Sequence, residues 1–216
     1  RVLFRSADQT FLIEQLPALF EQLVVQLQQF PAPPLPYRPQ AEEPAIDTGA
    51  RVRVIAGFSG AGKTAWAAQA ACHSTQSCAY YDCAETPSEA LASSLVRELA
   101  AKLVGVSDPV RHEILLPGVS GLESLTALDA YLHRQGMEPI VVLDNVHRID
   151  AQSLRRIVEG TTSLRFVMLC QPVGSLRELE ATLGLTRESL LGWGLDELAS
   201  ACNATGAFGS AATLGR

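Results

Sequence analysis

Apolar residues in this chain follow one period near its start and another after residue 50, and the change divides it. Between residues 9 and 30, Leu12, Leu16, Leu19, Phe20, Leu23, Leu27 and Phe30 fall on one helical stripe with Glu and Gln opposite. That spacing predicts an amphipathic helix, bent or restarted at Pro17. Residues 31–44, PAPPLPYRPQAEEP, are too rich in proline for a helix or a central strand and predict an extended, semi-rigid connector. From Arg51 onward short apolar runs alternate with capped helices, the pattern of a parallel sheet with crossover helices. Strands are expected at Val52–Ala56, Cys78–Asp82, Ile140–Asp144 and residues 164–170, with a short one at 189–191.

The helices between these strands carry start and stop signals. Thr86-Pro87-Ser88-Glu89 reads as an N-cap, a proline at the first helical position and a capping-box glutamate, after which Leu91, Leu95, Leu99 and Leu103 recur every fourth residue. Ser120 with Glu123 opens a helix that stops at Gly136, Asp150 caps one that stops at Gly160, and Ser175 with Glu178 opens one that stops at Gly184. The expected organisation is an N-terminal helix (1–30), a proline-rich linker (31–48), an α/β core (49–193) and the start of a helical lid (194–216).

Composition narrows the function classes. A chain of 216 residues that is 47% hydrophobic can bury one full α/β core. Its formal net charge of -6 gives no basic footprint for a phosphate backbone, so nucleic acid is not an expected partner of this segment. Five cysteines form no CxxC pair and have no histidine at zinc-ligand spacing, which favours buried thiols in a reducing, cytoplasmic setting. No signal peptide or membrane-length apolar run is evident, so no membrane association is expected. The start at Arg1 and the end at Arg216 suggest an excerpt of a longer protein.

The candidate chemistry begins at Gly57-Phe58-Ser59-Gly60-Ala61-Gly62-Lys63-Thr64, GFSGAGKT, between the first strand and the helical run of residues 65–73 that opens with Ala65. Glycines here let successive backbone N–H groups approach phosphate oxygens, and the helix that follows adds its positive end. Lys63 supplies a point charge for the β- and γ-phosphates, and the Thr64 hydroxyl is a Mg²⁺ ligand. The alternative is a chance glycine-rich turn, or a loop that has lost its ligand. Asp144 ends the run Ile140-Val141-Val142-Leu143 and is expected at the carboxyl edge of the sheet, where it would complete the Mg²⁺ site by holding the ion through water.

Asn145 then stands where a water-activating acid would be useful, and an amide can position water but cannot take its proton. Hydrolysis would be slow, or would borrow a base such as Asp82 or Glu85. Gln171, after the fourth strand, is either a γ-phosphate sensor or the cap of a turn. His147 and Arg148 are expected to face solvent, and Trp66 and Trp193 to be packing residues.

The series GFSGAGKT, YYDCAETPSEAL, IVVLDNVHRID, LRFVMLCQP and LLGWGLDELASACNATG resembles the STAND branch of the AAA+-like P-loop NTPases, with the flavour of bacterial regulators related to the maltose-regulon activator. The resemblance runs from about Val52 to Gly206. It implies a three-layer α/β/α sandwich with a five-stranded parallel sheet of order 5-1-4-3-2, and ATP or ADP with Mg²⁺ held between this domain and a helical lid. Val2-Leu3-Phe4-Arg5 with Asp8 is similar to the segment that holds adenine and ribose in such proteins, which implies a nucleotide contact for Arg5, although Phe4 replaces a usual glycine. Asn145 departs from the acidic pair of the family, and Gln171 replaces an arginine often found there. The function implied is an ATP/ADP switch in a cytoplasmic regulatory protein, working with other domains of a longer chain and with a nucleotide-dependent homo-oligomer. A turnover loader or remodeller ATPase and a non-hydrolysing scaffold with a vestigial loop are the alternatives.

Overall fold

Strand β1 (Val52–Ala56) rises directly into the glycine-rich loop and helix α1 (Lys63–His73), and the chain then alternates strands with helices as far as Thr205. The computed structural model describes residues 28–40, 42–104 and 108–205, with only the backbone of 201–205. The elements that follow α1 are β2 (Cys78–Asp82), a 3-10 turn at Ser88–Ala90, α2 (Leu91–Leu103), α3 (Val110–Ile114), α4 (Gly121–Arg134), β3 (Ile140–Asp144), a 3-10 turn at Val146–Arg148, α5 (Ala151–Glu159), β4 (Arg165–Cys170), α6 (Gly174–Leu183), β5 (Glu188–Ser189) and α7 (Leu195–Thr205). All strands are parallel in the order β2-β3-β4-β1-β5, which from the other edge is the expected 5-1-4-3-2.

Alternate residues of the central strands serve opposite faces, as a sheet covered on both sides requires. Val54, Val141, Leu143, Phe166 and Met168 pack with leucines of α2, α4, α5 and α6. Ile55, Tyr80, Val142, Val167 and Leu169 pack with Trp66 of α1 and with Ile46 and Phe30 from the segment before β1. The result is a three-layer α/β/α sandwich. Trp66 is a packing residue, 1% exposed, its indole N–H donating to the Pro44 carbonyl at 3.0 Å.

Two buried charges position the sheet. Arg53 is 5% exposed; it donates to the carbonyls of Ala45 and Ile46 at 2.7 and 2.9 Å and grips the Glu188 carboxylate through two bonds of 2.7 and 2.6 Å, tying β1 to β5 and to the segment before it. Asp129 of α4 is 4% exposed and accepts the backbone N–H groups of Thr162, Ser163 and Leu164 at 2.8, 2.9 and 2.9 Å. It thereby fixes the turn that feeds β4.

Some expectations fall outside the described residues, and others need correcting. The N-terminal helix and Arg5 lie outside the described residues, apart from Gln28–Phe30, which are not helical. Those three are held against the sheet instead: the Phe30 ring lies 5.2 Å from that of Tyr80, and the Gln28 side chain bonds the backbone of Asp82. Thr86 does not cap α2, which begins at Leu91 after a 3-10 turn; the Thr86 hydroxyl is engaged with the Tyr81 hydroxyl at 2.9 Å. Ser175 does not cap α6 either, because its hydroxyl donates to the His147 carbonyl at 3.2 Å and Val173 occupies the cap position. The capping box at Ser120 and Glu123 and the cap at Asp150 are formed.

Candidate functional site

The carboxyl ends of β1, β3 and β4 and the loop 57–62 form one corner of the molecule. Gly57 leaves β1 with its N–H on the Cys170 carbonyl at 3.1 Å, and an added Cβ there would stand 2.4 Å from the Leu190 carbonyl oxygen, so no side chain fits. Gly62 caps α1 in the left-handed region at φ 83, a conformation that glycine adopts without penalty. No side chain caps α1 and no acid lies in its first turn. Its positive end therefore faces the loop with no acid of the helix itself set against it, as a phosphate site requires.

Lys63, 9% exposed, folds back into this loop and donates to the carbonyls of Gly57 and Phe58 at 2.7 and 2.9 Å. Burial lowers its pKa, with the Asp144 and Cys170 charges pulling the other way. Thr64 donates its hydroxyl to Asp144 Oδ2 at 2.6 Å. Asp144 is 4% exposed and also accepts from the Tyr80 hydroxyl at 3.1 Å and from the Asn145 N–H at 2.7 Å. Burial and then the Asp144 and Asp82 charges push the Tyr80 phenol well above its ordinary value, so it remains a donor to Asp144.

Thr64 and Asp144 put two hard oxygen donors side by side. No group of three or more His, Cys, Asp or Glu side chains able to hold a metal occurs among the described residues. That donor set fits Mg²⁺, which is commonly held by one or two protein oxygens and completed by phosphates and water; it does not fit zinc. Were Mg²⁺ and a nucleotide bound there, the ion would neutralise phosphate charge, and Lys63 with the N–H groups of the loop would be placed to orient the phosphates.

Asn145 occupies the left-handed region at φ 56, the lone non-glycine residue with positive φ among the described residues, and its Nδ2 donates to Asp82 Oδ1 at 2.8 Å. Glu85, the other acid considered, is exposed. Gln171 follows Cys170 at the same edge, half-buried, and caps no helix. Arg148 is exposed as expected, but His147 is not. The tight turn Val146–Arg148 tucks its ring inward, leaving Nδ1 buried without a hydrogen-bond partner among the described residues. Burial, then the charges of Arg148 and Lys63, hold the imidazole below its ordinary pKa.

Beside the loop lies a cavity of about 560 Å³ lined by Pro36, Tyr37, Gln40, Ala61, Ala65 and Trp193, among others. Its size suits a nucleoside. The proline-rich segment therefore forms a wall as well as a connection. Gln40 joins the walls: its amide donates to the Ala61 carbonyl at 2.8 Å and accepts the Gly192 N–H at 2.8 Å. Trp193 is 38% exposed at this mouth, with its indole N–H on the Arg38 carbonyl at 3.3 Å, so it is less a packing residue than a wall. Gln40→Ala is expected to lower stability by about 1–2 kcal/mol through these two half-buried bonds. Urea unfolding checks this, and an unchanged midpoint would show that the walls are held by other contacts.

Comparison with known families matches residues 46–179 to the family described as AAA domain. No curated protein matches. Among solved structures, the ORC2 protein of Aeropyrum pernix in its ADPNP-ADP complexes is similar at 20% identity and a TM-score of 0.50, over 71% of this chain and 45% of that one. The Walker-type ATPase of Pyrococcus abyssi is similar at 15% identity and 0.51, over 73% and 54%. The Cdc6p protein of Pyrobaculum aerophilum is similar at 15% and 0.51, over 94% and 50%. The chain thus spans about half the length of these proteins, and the likeness is one of fold.

Proposed function

The chain belongs to the AAA domain family, and from that premise we propose that this nucleotide-binding, AAA+-type ATPase domain works as an ATP/ADP switch of the STAND kind. In this reading ADP holds the domain closed, exchange for Mg-ATP permits oligomerisation, and slow hydrolysis resets it within a larger cytoplasmic regulatory protein. Residues 194–216 begin a lid over the nucleotide, and Arg5 contributes a contact to it. The observation that carries the reading is the sequence of side chains at the end of β3. Asp144 is joined to Thr64 at 2.6 Å, as a Mg²⁺ site needs, while the next residue is an amide that cannot accept a proton. Among the described residues no helix is long and apolar enough to cross a membrane.

The test is ligand-linked stability. Mg-ATP and Mg-ADP at about 100 times Kd should each stabilise the chain by about 2.7 kcal/mol. The shift should shrink when EDTA removes Mg²⁺ and should lose its Mg²⁺ dependence in Thr64→Val. Retained ADP in the purified protein, found by mass spectrometry, would agree with a locked switch. No shift with either nucleotide would sink the reading in favour of a scaffold. The second reading, a turnover ATPase, is favoured by the Asp82 carboxylate standing 2.8 Å from the Asn145 amide. Multiple turnovers faster than nucleotide exchange would decide for it.

A further inference from the structure

The position after Asp144 lacks an acid, yet that corner of the molecule does not. β2 and β3 run parallel in a register that pairs Asp82 with Asp144, so the acid ending β2 arrives beside the residue that follows β3. The Asn145 side chain closes the gap, with Nδ2 donating to Asp82 Oδ1 at 2.8 Å. An ionised carboxylate only accepts, so this contact orients the amide with its nitrogen on Asp82 and its oxygen turned elsewhere. Asp82 is itself held firmly. The Ala84 N–H donates to Oδ1 at 2.9 Å, and the Gln28 side chain bonds both the N–H and the carbonyl of the Asp82 backbone. Among the described residues, no hydrogen bond reaches Asp82 Oδ2 or Asn145 Oδ1.

A backbone explanation of Asn145 also exists. At φ 56 most side chains are strained, and asparagine is among those that tolerate it. Aspartate tolerates it as well, so the backbone alone does not account for an amide placed against a neighbouring acid.

We propose that Asp82 is the catalytic carboxylate for ATP hydrolysis in this domain and that Asn145 presents the attacking water to it. The proposal rests on the reading that Mg-ATP occupies this site. The water oxygen forms a bond to the γ-phosphorus, and one water proton passes to Asp82 Oδ2. The bond from the γ-phosphorus to the bridging oxygen breaks, its electron pair staying with ADP. Asn145 Oδ1 accepts a hydrogen bond from the other hydrogen of the water and takes no proton. The proton on Asp82 is then released to the phosphate product or to solvent.

The experiment compares single-turnover hydrolysis and equilibrium Mg-ATP binding for the whole chain, for Asp82→Asn, and for the exchange variant Asp82→Asn with Asn145→Asp. Asp82→Asn is expected to bind Mg-ATP nearly as the parent does and to hydrolyse it about 10²-fold or more slowly, the usual scale for a general base. The exchange variant re-forms the acid-amide hydrogen bond with the partners reversed, on a backbone that admits aspartate, and is expected to recover most of the rate. An unchanged rate in Asp82→Asn overturns the proposal. So does an exchange variant that binds Mg-ATP but stays as slow as Asp82→Asn, which would assign Asp82 a purely structural role. A parent chain that binds Mg-ATP but never hydrolyses it also overturns the proposal and leaves nucleotide binding and exchange standing without the hydrolytic reset, whereas a parent that does not bind Mg-ATP overturns both.

Discussion

Lys63→Ala is expected to weaken Mg-ATP and Mg-ADP binding by about 3 kcal/mol, roughly a hundredfold in Kd, while leaving the free protein as stable as before. The two halves of that result come from one observation. The ammonium is nearly buried and, among the described residues, satisfied only by the carbonyls of Gly57 and Phe58, and its burial lowers its pKa. In the free protein the desolvation of the charge opposes those two bonds, so removing the whole group changes little. In the complex the same charge faces phosphate oxygens, and its loss leaves them without a cation in a partly dry loop. Calorimetric titration with thermal melts of the free forms separates the two effects. Lys63→Arg would not rescue binding, because a planar guanidinium fork does not fit where a point charge lies between two loop carbonyls. Wild-type affinity in Lys63→Ala would remove the loop from the nucleotide site.

The second large effect concerns folding. Asp129→Ala is expected to destabilise the chain by roughly 3–5 kcal/mol, because three backbone N–H groups lose their acceptor at once and each orphaned group costs about 1–3 kcal/mol. The N–H groups of Ser163 and Leu164 are buried where water does not easily replace the carboxylate. The loss is large beside a total stability of about 5–15 kcal/mol. Asp129→Asn should fall between, since one amide oxygen can still accept while its nitrogen faces donors. Urea denaturation of the three proteins checks the order; a loss below about 1 kcal/mol in the alanine variant would mean that the turn relaxes toward water.

The parts of this molecule that could be read beforehand are those whose partners lie close along the chain. The loop 57–64 sits between a strand and a helix by local spacing alone, and Asp144 follows an apolar run that announces a buried strand. The unread parts depend on register across the sheet. Tyr80 reaches Asp144, and Asp82 reaches Asn145, only because β2 and β3 pair as they do, after crossover helices of unpredictable offset. Gln40 bonds residues 21 and 152 positions away, and nothing around it marks that role. Where local signals misled, a tertiary contact won: Thr86 is taken by Tyr81, and Ser175 by the carbonyl of His147. Helix α3, five residues long, is too short to show a period.

The left-handed backbone at Asn145 also bears on how this site could change over generations. From an asparagine codon, aspartate is a single-base step and glutamate requires a double one, and the backbone accepts the shorter side chain more readily. A lineage acquiring an acid after Asp144 would therefore pass through aspartate. In doing so it would set a second carboxylate against Asp82, a repulsion that only a neutralising change on β2 would relieve.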